Sequence, residues 1–166
     1  MAIIQISELK KIRTIYVDKK IIFCSGGFDL THAGHILFFE DCKSLGDILV
    51  VSVGTDASLQ ARKGDNRPIL NEHIRLKTVD SLKPVDFCFI NQKEFDINNK
   101  LATVELAFKE LQPDIYVINE DAFDIQYRKE LCSKYDIELV IMPRHCPPEF
   151  ENISVTKIVE KIKSTM

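Results

Sequence analysis

The chain has 166 residues, 45% of them hydrophobic and 28% charged, with a formal net charge of −3 at neutral pH. That length allows one domain with a buried core, and the slightly acidic balance lacks the basic field of a nucleic-acid partner. No apolar stretch approaches the roughly 18 residues of a membrane span, so no membrane partner is expected.

The opening "MAIIQISELKKIRT" lacks the apolar core and cleavage site of a secretory signal, so a cytoplasmic location is expected. Within it, "SELKKIRTIY" reads as a leading helix inside residues 1–19. Five apolar runs then recur along the chain: "KIIFCS" (20–25), "DILVVSVG" (47–54), "VDFCFI" (85–90), "DIYVIN" (114–119) and "IELVIMP" (137–143). They are nearly continuous in Val, Ile and Leu rather than alternating, as strands covered on both faces should be. Segments of helical period separate them. "HILFFEDCKSLG" follows the first strand and stops at Gly46, a C′ glycine. "NEHIRLKTVDSL" follows the turn Arg67-Pro68, "NKLATVELAFKELQP" (99–113) ends at Pro113, and "IQYRKELCSKY" and "SVTKIVEKIK" complete the set.

Strands alternating with helices predict an α/β fold: a Rossmann-like, doubly wound, five-stranded parallel sheet with helices on both faces. The expected organisation is a single domain over 1–166, with the core sheet and helices over 20–143 and a C-terminal helix over 152–166. Cys24, Cys42, Cys88, Cys132 and Cys146 form no C-x-x-C pair and read as reduced thiols. Cys146, between His145 and Pro147, is a weak candidate for a reactive one.

The chemistry concentrates in "CSGGFDLTHAGH", residues 24–35. In an open parallel sheet, ligands gather beyond the carboxyl ends of the strands, where this stretch sits. Gly26 and Gly27 are expected to bend the backbone sharply and to admit a ligand close to main-chain N–H groups. The helix starting near Ala33-Gly34 turns its positive end toward the same place, which suits phosphate. His32 and His35, one helical turn apart, can then donate hydrogen bonds to phosphate oxygens during phosphoryl or nucleotidyl transfer. No H-E-x-x-H motif and no third ligand accompany the pair, so no protein-held metal site is expected.

"GGFDLTHAGH" resembles the G-x-F-D-x-x-H-x-G-H signature of the cytidylyltransferase-like nucleotidyltransferase superfamily. Within it the chain is most similar to the adenylyltransferase domain of bacterial heptose-phosphate enzymes, through "LKKIRTIYVDKKIIFCSGGFDLTHAGH" and "TDASLQARKGDNRPILNEHIRL". "ENISVTKIVEKI" resembles the tail shared with glycerol-3-phosphate cytidylyltransferases. The likeness runs from about residue 8 to 90 and again from 152 to 162.

The resemblance implies a nucleoside triphosphate across the first strand end, with Gly26, Gly27, Phe28 and Asp29 lining its pocket. His32 and His35 would hold the triphosphate and stabilise the transferring α-phosphate. Lys63, on a mobile loop, would neutralise phosphate charge, with Lys43 as a second candidate. Arg75 would reach the nucleotide or the acceptor phosphate, and Ser154 and Thr156 would meet the β- and γ-phosphates. Mg²⁺ would accompany the triphosphate. The partner would be a phosphorylated small molecule such as a heptose 1-phosphate, and relatives often pair as homodimers.

Each of these residues also has a plain structural reading. Residues 63–68 suit a surface loop, Ser154 is a good N-cap, and Asp29 suits bracing of the turn. Asp56, after the second strand, suits either an N-cap or a ribose contact. Two segments depart from the family pattern. "VINEDAF" keeps Asp121 but replaces the usual glycines with Asn119 and Glu120, and "PRHCPPEFEN" replaces a short basic loop, leaving Arg144 for the basic role. Alternatives therefore stand beside adenylyl transfer to a sugar phosphate: a CTP-dependent enzyme acting on a polyol or amino-alcohol phosphate, or a nucleotide-binding module without turnover. A flavodoxin-like carrier would explain neither histidine.

Overall fold

A computed structural model describes residues 2–90, 99, 101–151 and 154–165. Among these, six strands form one fully parallel sheet. They are β1 (Ala2–Ile3), β2 (Ile21–Gly26), β3 (Ile48–Val53), β4 (Phe87–Ile90), β5 (Ile115–Asn119) and β6 (Glu138–Met142), in the spatial order β1-β4-β3-β2-β5-β6. The helices are α1 (Leu9–Ile15), α2 (Ala33–Ser44), α3 (Asp56–Lys63), α4 (Glu72–Asp80), α5 (Ala102–Leu111), α6 (Ile125–Tyr135) and α7 (Val155–Ser164), with a short 3-10 turn at Ile6–Glu8. None of the described helices is long and apolar enough to cross a membrane.

The five apolar runs are β2 to β6, and the sheet is α/β and doubly wound as expected. The strand count is corrected to six. β1 lies inside the leading segment and pairs Ala2 with Phe87 and Ile3 with Cys88. Two residues make no run that a period can reveal. The helix α3 likewise has no counterpart in the sequence reading, because "DASLQARK" buries only Leu59. Lys100, near the start of the helix read over 99–113, and Asn152 and Ile153 of the tail lie outside the described residues.

Strand pleating assigns alternate side chains to opposite faces. From β2, Ile21 and Phe23 enter one core with Leu9 and Ile12 of α1, Phe108 and Leu111 of α5, and Leu131 of α6. Ile22 and Cys24 enter the other, with Phe38, Phe39 and Cys42 of α2 and Leu76 and Val79 of α4. The two cores place α2 and α4 on one face and α1, α5 and α6 on the other. All five cysteines are free; four are buried and Cys146 is exposed.

Candidate functional site

Connections leave β2 toward α2 on one face and β5 toward α6 on the other, and these two strands are neighbours. A crevice must open between diverging connections, beyond the carboxyl ends of the strands. A cavity of about 620 Å³ fills it. Its walls include Ser25 and Gly26 at the end of β2, Gly27, Phe28 and Asp29 after it, Arg62 and Lys63 at the end of α3, Asp121 and Phe123 after β5, Arg128 of α6, His35 and Arg144.

The turn after β2 is built differently from the expectation. Gly64 is the one described glycine with positive φ, whereas Phe28 and Leu30 take φ of 48° and 42°. The sharp bend therefore falls on Phe28, a bulky residue in a sparsely populated conformation. Gly26 and Gly27 supply space instead: a Cβ on Gly26 would lie 2.7 Å from Cζ of Phe28, and one on Gly27 would lie 2.7 Å from Cδ2 of Leu59. Phe28 in turn stacks edge-on against His35 at 5.7 Å and meets Phe39 at 4.8 Å. Gly26→Ala is accordingly expected to push the Phe28 ring off His35 and cost about 1–3 kcal/mol, the usual penalty of overpacking. Urea denaturation checks the cost; a loss below a few tenths of a kcal/mol would show that the ring gives way freely.

His32 is the extended N-cap of α2, and its ring centroid lies 4.1 Å from that of His35. The His32 backbone N–H donates to His35 Nδ1 at 3.4 Å. An Nδ1 that accepts carries no proton, so in the neutral ring the proton sits on Nε2, which remains a donor. Burial, then His32, Arg144 and Lys63, lower the His35 pKa from the ordinary 6.5 to about 3. Burial, then Arg144, also lowers that of His32, whose Nδ1 is buried without a partner. Near neutrality the free protein thus presents a neutral His35 N–H at the positive end of α2.

A pH dependence of folding follows. The unfolded chain binds the His35 proton more readily than the folded chain, so stability is full above about pH 6.5 and falls as pH drops toward 3. Between about pH 7 and about pH 5 His35 alone removes ~2 kcal/mol. His35→Asn should flatten that decline in urea titrations; an unchanged slope would mean that the imidazole is not buried as described.

The other predicted residues divide between the cavity and its supports. Lys63 ends α3 at the cavity rim, where desolvation, then Arg62 and Arg67, lower its pKa. Asp121 pairs with the Arg144 guanidinium, whose Nε lies 3.2 Å from Oδ2, and both side chains face the cavity. Asp29 is nearly fully buried and accepts the N–H groups of Ile69 and Leu70 at 2.8 and 3.0 Å, with Arg67 at 3.5 Å. It braces the 67–70 segment while forming part of the cavity wall.

Arg75 is fully buried and does not line the cavity. Its Nε donates to Leu70 O at 2.9 Å, Nη1 to Gly27 O at 2.5 Å, and Nη2 to Gly54 O at 2.7 Å and Asp56 Oδ1 at 2.8 Å. With four donations spent on the chain, it fixes the ends of β2 and β3 rather than reaching for a phosphate. Asp56 is its counter-charge and the first residue of α3; Thr55 is the N-cap, accepting from Ser58 N–H at 3.2 Å.

Lys43 is not brought to the cavity. It sits in the last turn of α2, bonded at 2.5 Å to Asp86, whose Oδ2 also accepts Leu49 N–H at the start of β3. Ser154 caps α7, accepting Lys157 N–H at 3.2 Å; Val155 lines the cavity, and Thr156 is exposed outside it. Sequence reasoning missed Arg62 and Arg128. The signal lay in α6, where Arg128 interrupts the apolar row Ile125, Leu131, Cys132 and is nonetheless buried.

Comparison with known proteins agrees with this geometry. "Bifunctional protein HldE" of Helicobacter pylori (strain ATCC 700392 / 26695) is 35% identical over 97% of this chain and 32% of its own length. The protein of that name from Campylobacter jejuni subsp. doylei is 37% identical over 88% of this chain and 28% of its own. The chain thus spans about a third of the curated relatives it matches. Among solved structures, a lipopolysaccharide core biosynthesis protein from Thermoplasma volcanium is 30% identical with a TM-score of 0.58, covering 76% of this chain and 97% of its own. A pantoate-beta-alanine ligase from Francisella tularensis shares the fold, at a TM-score of 0.67 and 19% identity, over 98% of this chain and 77% of its own. Residues 23–166 match the family described as cytidylyltransferase-like. The glycine turn, the paired histidines and the cavity at the sheet's switch point therefore belong to a member of the cytidylyltransferase-like family.

Proposed function

We propose that this chain is a nucleotidyltransferase that moves a nucleoside monophosphate from a nucleoside triphosphate to a phosphorylated small molecule, releasing pyrophosphate. A phosphate oxygen of the acceptor attacks the α-phosphorus in line. The new O–Pα bond forms as the bond from Pα to the bridging oxygen breaks, and that electron pair leaves with pyrophosphate. The observation that carries this reading is His35, held neutral with Nε2–H as donor at the N-terminus of α2 and opening on a cavity lined by Arg62, Lys63, Arg128 and Arg144. Such a donor gains strength as charge grows on the phosphate oxygens, so it favours the transition state over the ground state.

His32 would place a second ring beside the triphosphate, and Lys63 would draw charge from the leaving pyrophosphate. Gly26, Gly27, Phe28, Asp29 and Asp121 would border the nucleotide, while Asp56 and Arg75 hold the strand ends beneath it. Among the described residues no three His, Cys, Asp or Glu side chains cluster as metal ligands. Mg²⁺ would enter as part of the substrate, carried on the triphosphate. Residues 1–166 would act as one unit, since elements on both faces of the sheet supply one cavity.

Likeness to heptose-phosphate adenylyltransferase domains supports a sugar 1-phosphate as acceptor and ATP as donor. Pyrophosphate release from ATP, CTP, GTP and UTP with Mg²⁺, against phosphorylated sugars, polyols and amino alcohols, tests the reading. Release with ATP and a heptose 1-phosphate is the expected result. Tight triphosphate binding with no release across the panel would instead favour a binding module without turnover.

A further inference from the structure

Arg62, Lys63, Arg128 and Arg144 are the cations among the described residues that line the cavity. Of these, Arg144 alone is paired with a carboxylate, that of Asp121, which faces the same cavity. Its Nε, at 3.2 Å, and its Nη2 both donate to one oxygen, Oδ2. The two side chains are 44% and 55% exposed. A pair made through a single oxygen and open to water is weakly held. Asp29, the buried acid of the same wall, differs: it accepts the N–H groups of Ile69 and Leu70 and meets Arg67, so it is not free to exchange.

The main chain at Arg144 is tied down while its guanidinium is not. Arg144 N–H donates to Glu120 Oε1 at 3.3 Å, and the next residue, His145, sets Nδ1 3.3 Å from Asp41 Oδ2 on α2. Glu120 is one of the two residues at which "VINEDAF" departs from the family pattern. Two neighbouring acids thus act on one arginine: Glu120 fixes its backbone, and Asp121 holds its charge. Arg144 also lines a small cavity of about 30 Å³ together with Ala33, Gly34 and Leu37, which places it beside the first turn of α2. After burial, its charge is among the causes that lower the pKa of His32 and His35. The guanidinium therefore stands close to the paired histidines, with a carboxylate already on it.

We propose that Asp121 is a stand-in anion, which holds Arg144 in the free protein and is displaced from it by the triphosphate of the nucleotide. This deepens the nucleotidyltransferase reading and rests on it for naming the displacing anion as a nucleoside triphosphate. A triphosphate brings more charge and more acceptor oxygens than one carboxylate, and the planar guanidinium can meet two of them at once. The backbone tie to Glu120 lets the side chain change partners without moving the loop. As pyrophosphate departs, Asp121 retakes the guanidinium. The same contact thus weakens loading and speeds discharge.

The test has an arm that needs no turnover. Tripolyphosphate is titrated calorimetrically, at fixed ionic strength, into the native chain, Asp121→Asn, Arg144→Gln and the double variant. Both side chains are open to water, so neither replacement leaves a buried charge unpaired. Asp121→Asn should tighten binding about two- to fivefold, the range an exposed ion pair allows. Arg144→Gln should weaken it about tenfold or more, as loss of a charge-assisted bond does. In the Arg144→Gln background, Asp121→Asn should bring no gain, because the two residues act through each other.

Binding that is unchanged or weaker in Asp121→Asn overturns the proposal, and so does binding unchanged in Arg144→Gln. An equal gain from Asp121→Asn with and without Arg144 also overturns it, since that would be general charge repulsion. So does a native chain that binds no tripolyphosphate. In turnover, inhibition by pyrophosphate should strengthen in Asp121→Asn by a similar factor; inhibition unchanged or weaker counts against the exchange. Failure of every triphosphate to release pyrophosphate from the native chain would instead count against the nucleotidyltransferase reading, and the tripolyphosphate titrations would still decide whether Asp121 and an anion compete for Arg144.

Discussion

His35→Ala is expected to lower pyrophosphate release by about 10²- to 10³-fold, the usual effect of removing one preorganised donor to a developing oxyanion. The size of the effect follows from how the ring is held. Its Nδ1 is committed to the His32 N–H, the edge contact with Phe28 limits its rotation, and burial keeps it uncharged. Among the described residues lining the cavity, no other neutral side-chain donor lies at the N-terminus of α2: the cations Arg62, Lys63, Arg128 and Arg144 reach the cavity from α3, from α6 and from the segment after β6. The fold should survive, because the ring accepts only one long hydrogen bond, at 3.4 Å, and its removal takes away a group that resists folding in acid. Steady-state rates on the variant, with circular dichroism as the control for folding, provide the check. A folded variant with near-normal turnover would sink the assigned mechanism.

Arg75→Met should destabilise the protein by about 3–5 kcal/mol, in the range for removing one partner of a buried ion pair. The carboxylate of Asp56 is partly exposed and can rehydrate, so most of the cost comes from the carbonyls of Gly27, Gly54 and Leu70 losing their donor together. Arg75→Lys keeps the charge but cannot reach four acceptors spread over three segments, and should recover less than half of the loss. Urea titration of both variants measures this. A loss under about 1 kcal/mol for Arg75→Met would mean that water replaces the guanidinium without strain. Because Gly27 also borders the cavity, surviving Arg75→Met protein should bind nucleotide poorly even where it folds.

Much of the fold could be read from the chain, and the reason is specific. A parallel strand covered on both faces must be apolar along its whole length, so β2 to β6 announce themselves as runs. Elements that bury little give no such signal: β1 has two residues, and α3 has only Leu59 in the core. The site was legible where chemistry is local, as in His32 and His35, which need only one helix to bring them together. It was illegible where long side chains choose their partners in three dimensions. Lys43 and Arg75 both belong to segments that look equally suited to phosphate or to bracing, and their partners Asp86, Gly27 and Gly54 are distant in sequence. Arg62 and Arg128 meet only because α3 and α6 converge above the switch point from separate crossovers.

The two-residue β1 also changes what the sheet offers at its β4 border. Ala2 N–H donates to Asp86 O at 3.0 Å and Ile4 N–H to Cys88 O at 2.9 Å, so the outer main-chain acceptors at the start of β4 are already taken. A long bare β4 would be a template on which a second chain could add a strand. Over residues 86–88 that border is therefore occupied, and the addition of a further strand there is opposed by backbone pairing rather than by surface charge.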